Sequence, residues 1–256
     1  MPHYASHTAF LNSLSPTIPD RFAFDSCSSA KGSADFHGAG TWSQVHAAAP
    51  LGSSALAAQM RPLPTVHPVA QRRRPAYGVA GGAPSVPRHL AGSPCCMRTM
   101  RTTATTPRTV RIAHCSYLGG WSKQHHAVNR GLALLEIIDA LERSAVRVEL
   151  VVYKASVKPD DDPIVSVTVK GPGDHYDADL LAFILADSRW HRRLMFRSME
   201  QHCPNQCGSG YGEWEPIPGT WDWITPRMDP TKCASPAEAR TWMITSAATL
   251  LGTITP

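Results

Sequence analysis

The stretch Thr109–Tyr153, "TVRIAHCSYLGGWSKQHHAVNRGLALLEIIDALERSAVRVELVVY", decides the fold. Val110, Ile112 and the small residues Ala113 and Cys115 make a short, largely apolar run, which predicts a strand buried on both faces. From Gln124 to Ser144, the residues Val128, Leu132, Leu135, Ile138 and Leu141 or Ala145 recur at three- and four-residue spacing, one face of an amphipathic helix. Val146, Val148, Leu150 and Val152 then alternate along a second strand that follows almost at once. A strand, a long helix and a strand joined by short connections form a right-handed parallel βαβ unit.

Downstream, "KASVKPDDDPIVSVTVKG" separates the second strand from a third, Ile164–Lys170, by a polar, proline-bearing turn. The link is too short for a helical crossover, so the third strand is predicted to pair antiparallel as an edge hairpin. The fold class that follows is α/β: a Rossmann-like mixed sheet with an antiparallel edge hairpin and helices packed on it. Asp177 or Asp179 can cap a helix through Leu180, Leu181, Ile184 and Leu185, and Ser188 can start another containing Leu194, Met195 and Met199. Near the end, Ser235 with Glu238 forms a capping box and Pro236 takes the first helical position.

Upstream the pattern changes. With 256 residues and 43% hydrophobic content the chain can bury a core, as one large domain or two small ones. Residues 1–105 read as an irregular Pro/Ala/Arg-rich region with short ordered pieces, and residues 106–256 as the α/β core domain. Thr41 or Ser43 can cap a short helix. Between Pro50 and Arg108 little apolar surface is available to offset the entropy of ordering, so residues 50–105 are predicted to be the least ordered long segment. Within it, Tyr77, Val79, Val86 and Leu90 are expected to dock on the main body.

The net charge of +5 is modest but uneven. Arg61, Arg72, Arg73, Arg74, Arg88, Arg98, Arg101, Arg108 and Arg111 fall in a segment with no acidic residue between Asp35 and Glu136, which would attract an anionic surface. No window approaches the run of roughly 18 apolar residues of a membrane span, and the N-terminus lacks a basic start followed by an apolar block. The seven cysteines are an odd number and are widely spaced, so they read as mostly free thiols in a reducing compartment. The expected location is cytoplasmic, with no membrane partner.

The βαβ unit followed by an edge hairpin and helices resembles the opening half of the von Willebrand factor A fold, with "GLALLEIIDALERSAVRVELVVYKA" similar to that family's first helix and second strand. A closer resemblance is to a family encoded by phages of actinobacteria and related prophages. It is carried by "GSADFHGAGTWSQ", "APSVPRHLAGSPCCM", the βαβ unit and "ADLLAFILADSRWHRRLMFRSMEQ". None of these is a catalytic signature, so the resemblance implies origin, and host-cell location, more than activity.

The departure from the A-domain pattern bears on function. In that family the first strand ends in Asp-x-Ser-x-Ser, which holds a divalent cation through oxygen ligands. Here the matching stretch is His114-Cys115-Ser116-Tyr117-Leu118, and only the middle serine remains. The strand-end candidate is therefore His114, Ser116, Gly119 and Gly120, placed like a metal site without its chemistry. Gly119 and Gly120 could let backbone amides approach a phosphate, but the spacing is neither Gly-x-Gly-x-x-Gly nor a P-loop, and a plain strand-to-helix turn accounts for them.

Three other sets of residues carry chemistry on paper. Asp174, His175, Asp177 and Asp179 could hold a metal or supply a base for hydrolysis, against helix capping and solvated loop positions. His202, Cys203 and Cys207 have half of a zinc motif, with no second compact cysteine pair. Arg192 and Arg193, with Trp214, Trp221 and Trp223, read as an interaction surface, or as a solvated charge run and tryptophans that close the core. The reading that follows is a phage-derived accessory protein that acts by binding, with a protein as partner, nucleic acid reachable through the basic segment, and no cofactor. Its alternative is a metal-dependent hydrolase or nuclease using the Asp174–Asp179 loop.

Overall fold

The computed structural model of the protein describes residues 2–16, 29, 37–61, 63, 73–102, 108–144, 146–155, 165–202 and 215–252. The stretch Thr109–Tyr153 folds as its pattern requires. Strand β5 (Thr109–Cys115) leads into helix α5 (Gln124–Arg143) and returns in β6 (Arg147–Lys154), and β5 and β6 pair in parallel from Thr109↔Arg147 to Cys115↔Tyr153. Strand β7 (Val165–Lys170) pairs antiparallel with β6, with a register shift between Leu150 and Val151, as the short connection predicts.

Two further strands complete this sheet. At one edge β1 (His3–Tyr4) lies parallel to β7, and at the other β8 (Trp223–Ile224) lies parallel to β5, giving the order β1-β7-β6-β5-β8 among the described residues. Alternation along β5 and β6 builds two apolar layers. Val110, Ile112, Val148, Leu150 and Val152 face α5 in the main core, while Ala113, Cys115, Val151 and Tyr153 pack with Ile217 on the opposite face. Because both faces are covered, these strands are apolar nearly throughout.

Helix α5 is buried almost all round between the sheet, α6 (Ala178–Ala186) and α8 (Pro236–Ser246). At Gly131 the backbones of α5 and α6 meet: a Cβ there would overlap the carbonyl oxygen of Leu185. At the far end of α5, Glu142 accepts from Val148 N (2.9 Å) and pairs with the buried Lys170 Nζ (2.7 Å), tying helix to sheet. Helix caps fall at the expected residues. Asp177 caps α6, Ser235 with Glu238 caps α8, and Thr41 caps α2 (Trp42–Ala48) in a capping box with Gln44.

The first hundred residues contribute to this core. Helix α1 (His7–Ser13) inserts Phe10 and Leu11, and α2 inserts Trp42 and Val45, into the main cluster; the short α3 (Ser54–Ala57) packs on α6. Residues 73–102 form an ordered element that composition does not reveal. Strands β2 (Arg73–Gly78), β3 (Ala83–Pro84) and β4 (Met97–Thr102), with helix α4 (Val86–Leu90), make an antiparallel sheet in the order β2-β4-β3. Backbone pairing, not apolar alternation, creates it, so the pattern of the side chains was silent. The expected docking of Tyr77, Val79, Val86 and Leu90 on the main body does not occur: all four are exposed, because this sheet packs chiefly on itself.

The segment opened by Ser188 also departs from a plain helix. Asp187 Oδ1 accepts from Arg189 N, the chain makes a π-helical turn at Trp190–Leu194, and only then runs into α7 (Met195–His202). No helix among the described residues is long and apolar enough to cross a membrane. Ala145, Ile164, Cys203, Cys207 and Trp214 lie outside the described residues.

Candidate functional site

The carboxyl end of β5 is where an α/β sheet of this kind offers a crevice. His114 and Ser116 are both buried there, and Ser116 N extends the ladder by donating to Tyr153 O (2.8 Å). The guanidinium of Arg130, from the second turn of α5, lies at this strand end. Its Nη2 donates to the carbonyls of Cys115 (3.1 Å) and Pro226 (3.0 Å) and to Thr225 Oγ1 (3.3 Å), and its Nη1 reaches Tyr117 O (3.5 Å). A positive group with several donors thus satisfies strand-end carbonyls that would otherwise be buried and orphaned.

A second guanidinium completes the closure. Arg192, carried by the π-turn, donates through Nη2 to Gly119 O (2.9 Å), Ser122 O (2.9 Å) and Leu118 O (3.4 Å). The same carbonyl of Gly119 accepts from Ser122 N, closing a tight turn. At the tip of this turn stands Trp121, 89% exposed. Lys123 and His125 beside it are exposed, and the Arg227 guanidinium lies over the Tyr117 ring at 5.3 Å. Gly119 and Gly120 adopt no left-handed conformation, and a Cβ on Gly120 would meet nothing. They serve a turn.

The electrostatics suit packing and not proton transfer. His114 Nδ1 meets Thr225 Oγ1 at 3.1 Å, and His191 Nε2 meets Leu185 O at 3.1 Å. Burial, reinforced by the nearby Arg130, holds the His114 imidazole far below its ordinary range. His191 is pushed down to about 3 by burial, helped by Arg130, Lys154 and Arg192, although its bond to the Leu185 carbonyl acts in the opposite sense. Both rings are therefore neutral near pH 7. Ser116 Oγ and His114 Nε2 are buried without a hydrogen-bond partner among the described residues, so the serine has no base in contact.

The described members of the remaining sequence candidates hold local structural roles. Asp174 Oδ2 accepts from Gly171 N in an exposed turn, and His175 is exposed. Asp177 Oδ1 accepts from Leu180 N as the cap, and Asp179 sits in the first turn of α6 with its carbonyl bonded to Ser53 N. His202 Nε2 meets the Tyr4 hydroxyl at 2.7 Å, whereas its proposed zinc partners Cys203 and Cys207 fall outside the described residues. Among the described residues no three His, Cys, Asp or Glu side chains are grouped to hold a metal.

Arg192 and Arg193 are not a solvated face, and this corrects the surface reading of both. Arg193 is buried and donates to Ser29 O (3.1 Å) and Gly38 O (3.4 Å), so these arginines bind loop carbonyls inside the molecule, as Arg197 does with Ser15 O (3.0 Å). Irregular chain buried against a helix leaves carbonyls that guanidinium donors satisfy. The tryptophans divide: Trp223 belongs to the core, and Trp221 stacks on the Arg111 guanidinium at 4.7 Å while donating to Pro218 O. No motif in the sequence singles out Trp121, although its setting, Gly-Gly-Trp-Ser-Lys, gives a large aromatic no apolar neighbour to pack on.

These features define an α/β protein whose strand-end crevice is filled by its own arginines and crowned by an exposed tryptophan. The chain belongs to the family described as a domain of unknown function, DUF7192, whose model matches residues 1–232. It matches no curated protein and no solved structure.

Proposed function

We propose that this protein is a phage-derived accessory protein of the host cytoplasm that acts by binding a protein partner, on a von Willebrand A-like scaffold whose cation position has become structural. The observation that carries the binding reading is the turn Gly119–Ser122, clamped from below by Arg192 and presenting Trp121 to solvent. Tryptophan is favoured at interface hot spots, and a turn held rigid before contact loses little entropy on binding. The A-like scaffold is supported by the parallel β5-α5-β6 unit with its antiparallel neighbour β7. The phage origin rests on the sequence patches that resemble that family, and the reducing location on unbridged Cys95, Cys96, Cys115 and Cys233.

The test is selection of binders from a random peptide display library against the immobilised chain. Trp121→Ala should weaken the selected peptide by about 2 kcal/mol, roughly thirtyfold, without changing the melting temperature. Absence of enriched peptides, or binding indifferent to Trp121→Ala, would remove the reading. Thermal melts with Mg²⁺ or Mn²⁺ address the hydrolase alternative, since a site filled at about a hundred times its dissociation constant adds roughly 2.7 kcal/mol. No metal stabilisation is expected. Stabilisation that vanishes in Asp177→Ala would restore the hydrolase.

A further inference from the structure

The antiparallel sheet of residues 73–102 lacks what normally holds a sheet in place. None of its residues with described side chains is buried, and its apolar groups face solvent: Val79 is 77% exposed, Leu90 79% and Val86 62%, with Met100 half-exposed. Small sheets need an apolar face covered by something to be stable. The five-stranded sheet and its helices do not supply that cover, since β2, β3, β4 and α4 pack chiefly on one another.

Its charge is of one sign. Residues 73–102 contain five arginines and neither aspartate nor glutamate. Arg98, exposed, stands opposite Tyr77 in the β2–β4 register, and the Arg88 guanidinium lies over the Tyr77 ring at 4.0 Å. The cation–π contact orders one arginine on the surface without neutralising it. An uncovered apolar surface bearing Arg88 and Arg98, neither paired with a carboxylate among the described residues, is complementary to one kind of occupant.

From this charge and exposure we infer that residues 73–102 form a second docking surface, distinct from the Trp121 turn, for a protein segment that carries aliphatic side chains among carboxylates. Carboxylates would meet the Arg88 and Arg98 guanidinium groups, for which two-point pairing is the preferred geometry. Aliphatic side chains would cover Val79, Val86 and Leu90. A nucleic acid would satisfy the arginines but leave those aliphatics in water, and the sheet offers it a single aromatic, Tyr77, already covered on one face by Arg88.

The experiment uses the full chain and three fluorescent probes: a peptide of alternating glutamate and valine, an all-glutamate peptide of the same length, and a single-stranded DNA oligonucleotide. Fluorescence anisotropy should show the alternating peptide binding most tightly, with weakening as NaCl rises from about 50 to about 500 mM. Arg88→Glu with Arg98→Glu should reduce its affinity about tenfold or more, and Val79→Ser with Leu90→Ser severalfold. These residues are exposed, so melting of the α/β core should be unchanged, and Arg98→Lys should lose less affinity than Arg98→Glu but not match the parent, because an ammonium keeps the charge without the two-point pairing. Failure of the alternating peptide to bind, indifference to the arginine pair, equal binding of the all-glutamate peptide, or tighter binding of the DNA each overturns the assignment. A library peptide that depends on Trp121 but not on Arg88 or Arg98 would remove this second surface and leave the Trp121 reading standing.

Discussion

Replacing Arg130 with methionine tests whether its guanidinium holds the carboxyl end of β5 together. Methionine keeps much of the length and removes every donor. Two of the lost bonds are well formed, 3.1 Å to Cys115 O and 3.0 Å to Pro226 O, while those to Thr225 Oγ1 and Tyr117 O are long. At about 1.5–3 kcal/mol for a bond to a charged group, the short pair accounts for about 3–6 kcal/mol. Against this, burial disfavours the charged guanidinium, and no carboxylate pairs with it among the described residues. Relief of that penalty returns part of the loss, leaving a net destabilisation of about 2–4 kcal/mol. For a chain of this size, at about 2 °C per kcal/mol, that lowers the melting temperature by about 4–8 °C. Urea unfolding gives the free energy, and hydrogen exchange across residues 113–123 shows whether the damage is local. Arg130→Lys should fall between, because one ammonium cannot span the acceptors. If Arg130→Met melts at or above the wild-type temperature and exchange in that stretch is unchanged, the guanidinium does not hold the strand end together.

Stability should also fall with acid in a way that the buried imidazoles explain. His191 titrates near 3 in the folded protein and His114 well below its ordinary value, against about 6.5 unfolded, so below pH 6.5 the unfolded chain binds protons that the folded one refuses. Their contribution is complete above that pH and is lost as pH falls, by up to about 1.4 kcal/mol per pH unit for each histidine. Urea titrations from pH 7 to pH 4 should show His191→Gln with a slope smaller by about one such step; an unaltered slope would contradict the assignment. Packing gives a separate expectation: Gly131→Ala places a methyl into the Leu185 carbonyl and should cost about 1–3 kcal/mol or more, while Gly120→Ala, where a Cβ meets nothing, should stay within about 0.5 kcal/mol. Equal melting temperatures for the two alanine variants would argue against the close approach of α5 and α6.

What the sequence determined by itself was the part built from local and periodic rules. The apolar run of β5, the spacing from Val128 to Leu141 and the alternation of β6 specify strand, helix and strand. Connection length then decides that β6 runs parallel to β5 and that β7 returns antiparallel. Caps at Asp177, Thr41 and Ser235 were legible for the same reason, since a cap is a relation between residues three apart. The tertiary structure alone decided the fate of the charges and of Trp121. Arg130, Arg192 and Arg193 look like surface residues in the chain, yet each lies inside, because the carbonyls it binds come from residues such as Pro226, Gly119 and Ser29 that are distant in sequence. A hydrogen-bond acceptor on the backbone carries no residue type, so no pattern of letters marks it. Exposure has the same character: Trp121 and Trp223 are alike in sequence, but one caps a clamped turn and the other fills the core, and only the folded chain assigns each its side.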